Sequence, residues 1–171
     1  MPKINKGTKK RGITPQGWWE SPIAGIVHYQ SGYEWRFMDW MDNHNIQWSK
    51  CKEKFEYISP HDQKIHTYTP DFIVEVDGEK YYIETKGALR VSDPAKFAAF
   101  PNDKKLVLLS YKELHDDLHI EGIKDYSKYE HNPNAWPYKI LVQIPDWLDR
   151  GTLTEELQAK VSAREFLDKI L

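Results

Sequence analysis

The sequence predicts an α/β chain whose core runs helix, three strands, helix, strand, with a helical extension at the C-terminus. Three observations predict it. An amphipathic run at 31–44 gives way to aromatic and β-branched stretches rather than to a second helix. Asp77-Gly78 joins two alternating segments, and that dipeptide is the strongest short-range hairpin signal. Ser92-Asp93-Pro94 then opens a helical stretch ahead of an apolar strand over 104–110.

Taken in order, residues 1–17 have no sustained periodicity and contain Gly7, Gly12, Pro15 and Gly17, so they read as an arm, with order beginning near Trp18. Ser31 starts a helix with Trp35, Phe37, Met38, Trp40 and Met41 on its apolar face, ended by the stretch from Asn43 to Asn45. Ser31 and Glu34 fit a capping box. One strand is expected from Ile46 to Ile58, closed by Ser59-Pro60-His61-Asp62; a second runs from about His66 to Val76 and a third from Lys80 to Lys86. The helix after Ser92 carries Phe97 and Phe100. Beyond Tyr111 the sequence predicts a short helix to about Leu118, an irregular segment, and a strand at 139–144. A final helix over 152–171 has Leu153, Leu157, Val161 and Ile170 on one stripe, and Thr152 with Glu155 fits a second capping box. The expected organisation is a flexible arm over 1–17, a core over 18–112 and an extension over 113–171 that packs on the core or forms an oligomer contact, a homodimer being one expectation.

Composition narrows the function. No apolar run approaches the length needed to span a bilayer, so a membrane protein is not expected. The single Cys51 rules out an internal disulfide, and no apolar stretch follows the N-terminal charges, which together fit a reducing cytoplasm. A net charge of −2 gives no global attraction to nucleic acid. Locally, however, Lys3, Lys6, Lys9, Lys10 and Arg11 fall in one stretch without an acid, which suits an arm contacting DNA phosphates as well as it suits a solvated tail.

The chemistry concentrates on the Asp77-Gly78 hairpin. With a two-residue loop, Val76 faces Glu79 and Asp71 falls opposite Glu84. Alternation then places Asp71, Ile73, Glu75, Lys80, Tyr82, Glu84 and Lys86 on one face, and Phe72, Val74, Val76, Tyr81 and Ile83 on a core face. Two carboxylates directly opposed across a sheet repel unless something neutralises them. A hard divalent cation does so, and magnesium takes one or two protein carboxylates while leaving positions for water and phosphate oxygens. Lys86, two residues after Glu84, shares that face and can stabilise charge developing on a phosphate. The residues thus fit phosphodiester hydrolysis, against the plainer reading of a strand-entry Asp and ordinary edge charges.

At these positions the chain resembles the PD-(D/E)xK nuclease superfamily: Pro70-Asp71 is the first half of the motif and Glu84-Thr85-Lys86 the second, with the resemblance spanning roughly 28–110. YQSGYE (29–34), HTYTPDF (66–72) and ETKG (84–87) are similar to phage endonuclease I type junction resolvases. The wording from Tyr29 to Asp42 and in the loop at 59–66 also resembles T-even phage head-completion nucleases and transposon-end nuclease subunits. The resemblance implies a restriction-endonuclease-like core and a phage-encoded, magnesium-dependent DNA endonuclease in which manganese substitutes. It also implies that Asp71, Glu84 and the Thr85 carbonyl bind the metal, that Lys86 assists the nucleophile, and that Glu34 is the helix-borne acid serving the metal. Branched DNA is the favoured substrate; a homing-type sequence-specific nuclease and a DNA-end or packaging nuclease are the alternatives, and a catalytically silent DNA-binding module is the rival from another class. Weaker signals are the His115/His119 spacing, which could hold zinc but has no third ligand, the lone Cys51, and Trp18-Trp19, which could stack on bases.

Overall fold

A computed structural model describes residues 16–87, 89–123 and 153–171. The basic arm, the strand expected at 139–144 and Thr152 lie outside the described residues.

A hairpin that the sequence reading did not anticipate comes first: β1 (Gly17–Ser21) pairs antiparallel with β2 (Gly25–Tyr29). Its turn is stabilised by the Ser21 hydroxyl, which accepts hydrogen bonds from the Ile23 and Ala24 backbone N–H groups, a local side-chain turn whose cue is a single serine. Helix α1 (Gly32–Asn43) follows, capped by Ser31 as expected.

The main sheet has four strands in the order β3 (Gln47–Lys50), β6 (Phe72–Val76), β7 (Glu79–Thr85), β8 (Lys105–Leu109). The first two pairings are antiparallel and the last is parallel, with α2 (Asp93–Ala99) in the crossover. Within this sheet and its helices the order is helix, three strands, helix, strand. A second hairpin, β4 (Phe55–Ile58) with β5 (Ile65–Tyr68), is inserted between β3 and β6.

That insertion corrects two expected strands. The stretch 46–58 divides because the chain leaves the sheet after Lys50, with the Cys51 N–H bonded to the Asp71 carbonyl, so that β4 can turn back as β5. The stretch 66–76 divides at Thr69-Pro70-Asp71, where Pro70 has no N–H to give to a ladder. The Asp77-Gly78 turn is as expected: both residues have positive φ, as a type I′ loop requires, and Phe72↔Ile83 through Val76↔Glu79 pair in the anticipated register.

The sheet is covered on both faces. Phe37 of α1 meets Phe72, and Tyr81 meets Phe166 near the C-terminus; on the opposite face Tyr82 packs on Phe55 and Phe100. The face expected to be polar is therefore buried at Tyr82 and Glu84, because β7 runs between two neighbours beneath α2 and the β4–β5 hairpin. Asp42 of α1 ties the first hairpin to the sheet, accepting hydrogen bonds from Trp19 Nε1, Ser21 Oγ and Trp48 Nε1 at 2.9, 2.7 and 2.9 Å.

After β8 a π-helical turn (Glu113–Asp117) stands where a short helix was expected. The C-terminal helix is two helices, α3 (Glu155–Lys160) and α4 (Arg164–Ile170). The break follows from the sheet edge, since the Val161 carbonyl accepts the Leu108 N–H of β8. Thr154, not Thr152, caps α3 by accepting from the Leu157 N–H. Leu153, Val161, Phe166 and Leu167 join the core, and Lys105 and Lys169 bind Glu79. Among the described residues no helix is long and apolar enough to cross a membrane.

Candidate active site

The open end of the β6–β7 hairpin collects the acids. Asp71 lies one residue before β6, so it is not a ladder partner of Glu84 as the extrapolated register implied. Its position is set by Thr85 instead: Asp71 Oδ2 accepts the Thr85 N–H at 2.8 Å and the Thr85 hydroxyl at 2.9 Å. Burial, then the charge of Glu34, lifts the Asp71 carboxyl to about 6, against the opposing effect of the Thr85 bonds and of Lys50.

Glu84 is buried on β7. Tyr68, the last residue of β5, donates its hydroxyl to Glu84 Oε2 at 2.7 Å, and Lys86 Nζ stands 3.5 Å from Oε1. Burial and the nearby Asp71 charge outweigh both, and the Glu84 carboxyl is pushed up to about 8. For Lys86, burial works against the charge, but Glu84 and Asp93 together overcome it and hold the ammonium above its ordinary value. Tyr68 is raised by burial and by Glu84, so it stays a hydrogen-bond donor.

Glu34 approaches from the start of α1. The Ser31 hydroxyl accepts the Glu34 N–H, and Glu34 Oε2 accepts from the Gln30 N–H at 2.8 Å with Lys50 Nζ at 3.5 Å. The capping box is thus displaced by one residue, the carboxylate reaching Gln30 rather than Ser31. Capping does not remove Glu34 from the site, because its charge still acts on Asp71.

Three neighbours were not singled out as site residues from sequence. Lys50 ends β3 beside Glu34. Tyr68 reads as an ordinary strand aromatic until the hairpin folds its hydroxyl onto Glu84. Asp93 reads as a helix opener, and only its contact with Lys86 at 3.3 Å reveals more. The weaker signals fare differently. His115 pairs with Asp116, while His119 lies beyond the π-helical turn with positive φ, so they do not share a helix face. Cys51 is buried, which pushes its thiol up and makes it a poor nucleophile. Trp19 is core and Trp18 is exposed.

The donor set is oxygen throughout, which suits a hard cation. Among the described residues no group of three or more His, Cys, Asp or Glu side chains is placed to hold a metal ion. The pair Asp71 and Glu84 could offer oxygen ligands to a hard cation.

Acids buried beside a lysine at a strand end are the equipment of a hydrolase, and comparison with known families gives that class a definite identity. The family model described as Phage endonuclease I matches residues 16–129, a span that holds Glu34, Asp71, Glu84 and Lys86. The chain belongs to the phage endonuclease I family and is a phage nuclease acting on DNA. No curated protein and no solved structure matches it.

Proposed function

We propose that the protein is a magnesium-dependent endonuclease of PD-(D/E)xK type that hydrolyses phosphodiester bonds in branched or otherwise specific duplex DNA. The observation that carries this reading is the neighbouring pair of half-buried Asp71 and buried Glu84, both held above ordinary carboxylate values, with Lys86 beside them. Two adjacent acids drawn out of water are costly unless their charge is used. The order helix, three strands, helix, strand around the pair supports the PD-(D/E)xK assignment.

Asp71, Glu84 and the Thr85 carbonyl would hold magnesium or manganese, with Glu34 reaching it directly or through water. When bound, the ion supplies activation of a water and neutralisation of phosphate charge. Thr85 orients Asp71 through the two hydrogen bonds described, and Tyr68 orients Glu84. Lys86 presents a fixed positive charge where the attacked phosphate gains negative charge. Lys50 offsets the charge of Glu34 on the other side. A catalytically silent binding module would not need both acids and the lysine together.

Titrating magnesium with the purified protein on supercoiled plasmid, a four-way junction and a flap tests activity and substrate together. Preferential cleavage of the junction is expected. Equal cleavage of all three removes the branched-DNA reading, and no cleavage of any removes the enzyme.

A further inference from the structure

We infer that Asp93 is a positioning residue for the reaction, anchoring the Lys86 ammonium together with Glu84. The inference rests on the nuclease reading above.

Asp93 is the first residue of α2 and is 0% exposed. Its two oxygens have different tasks. Oδ2 accepts the Arg90 N–H at 2.6 Å, which fixes the carboxylate to the loop leading into the helix. Oδ1 is buried and accepts no hydrogen bond of good geometry, yet it faces two ammonium groups, Lys86 at 3.3 Å and Lys96 at 3.6 Å. Capping the loop requires only an acceptor, and a neutral side chain provides one. A fully buried negative charge is expensive to keep and needs a further reason.

Lys86 supplies that reason. Its backbone N–H is bound to Leu109, so only the side chain is free to choose a position, and that side chain lies between Glu84 and Asp93 at nearly equal distances. A lysine held by Glu84 alone would lean on a carboxylate required elsewhere. Asp93 balances that pull and keeps Nζ where it stands when Glu84 is engaged. Lys96, lying over the Tyr57 and Tyr68 rings, shares the charge of Asp93.

Asp93→Asn separates the two tasks, since Asn is isosteric and can still accept from Arg90 while losing the charge. The expected result is a fall in kcat of roughly 10- to 100-fold, the scale of a misplaced catalytic group, with KM for DNA, the magnesium requirement and the Tm close to wild type. Asp93→Glu, which keeps the charge, should recover part of kcat. In the metal-free protein, labelling with an amine-selective reagent read by peptide mass should show Lys86 protected in wild type and modified faster in Asp93→Asn. Wild-type kcat in Asp93→Asn overturns the inference. So does a raised magnesium requirement, which would make Asp93 a ligand, or a loss of kcat matched by a loss of folded protein. A wild type that cleaves no DNA ends the proposed function itself, whereas an active wild type with an equally active Asp93→Asn ends only this inference.

Discussion

Asp71 accepts two hydrogen bonds from Thr85, one from the backbone and one from the hydroxyl, and these bonds hold it beside Glu84 although it lies outside the strand. The pairing is therefore side chain to backbone across the open end of a hairpin. Thr85 belongs to β7, which is paired with β6 on one side and β8 on the other, so the acid is positioned by an interior strand of the sheet.

The raised carboxyls make stability depend on pH. With Asp71 at about 6 and Glu84 at about 8, the folded state binds more protons than the unfolded chain, so stability falls as pH rises. Their contribution is complete below about pH 4 and is lost as pH passes through about 6 and then about 8. Thermal unfolding in EDTA should give a lower Tm at about pH 8.5 than at about pH 5, and magnesium should recover more at the higher pH, where both acids are ionised. A metal-free Tm that rises over this range would show that the two carboxyls are not raised as described.

Tyr68→Phe removes the hydroxyl that donates to Glu84. A hydrogen bond to a charged group contributes about 1.5–3 kcal/mol, so the variant should need roughly ten-fold or more additional magnesium for half-maximal cleavage. Its saturated rate should change less. A magnesium titration identical to wild type would leave the Tyr68 hydroxyl without a part in the site.

Asp42 is a separate test of the fold. Replacing it by Ala removes the shared acceptor of two indole N–H groups and a hydroxyl, and should cost about 2–4 kcal/mol in denaturant unfolding. Because Asp42 stands at the far end of α1 from Glu34, cleavage by the folded fraction should persist.

The arm is a prediction from charge alone. Deleting residues 1–12 removes Lys3, Lys6, Lys9, Lys10 and Arg11, and should weaken DNA binding and flatten its dependence on salt, with little effect on the rate at saturating DNA. An unchanged salt slope would reduce the arm to a tail.

What could be read from sequence was what short-range rules govern. Asp77-Gly78 dictated its own turn, and the register from Phe72 to Glu79 followed from it. Ser31 announced α1 through a cap that depends on one hydroxyl. The misreadings share a different cause, which is long-range pairing. Nothing local tells the chain to leave the sheet at Cys51 and return at Phe72, because β4 and β5 pair with each other. Nothing in the stripe from Leu153 to Ile170 reveals that Val161 will give its carbonyl to β8. The site divides the same way: Asp71, Glu84 and Lys86 lie on one hairpin and could be found together, whereas Lys50, Tyr68 and Asp93 arrive from three other elements.

The most direct test of the central claim is nicking of supercoiled plasmid over a magnesium titration by wild type, Asp71→Asn and Glu84→Gln, with DNA binding followed in parallel. Wild type should cleave with magnesium and be silent in EDTA. Each variant should lose cleavage by at least roughly 100-fold while still binding DNA and remaining folded, since the substitution removes a charge that the ion needs and the folded protein does not. Cleavage in EDTA, or a rate near wild type in either variant, would contradict the assignment of Asp71 and Glu84 as the metal-binding acids of this nuclease.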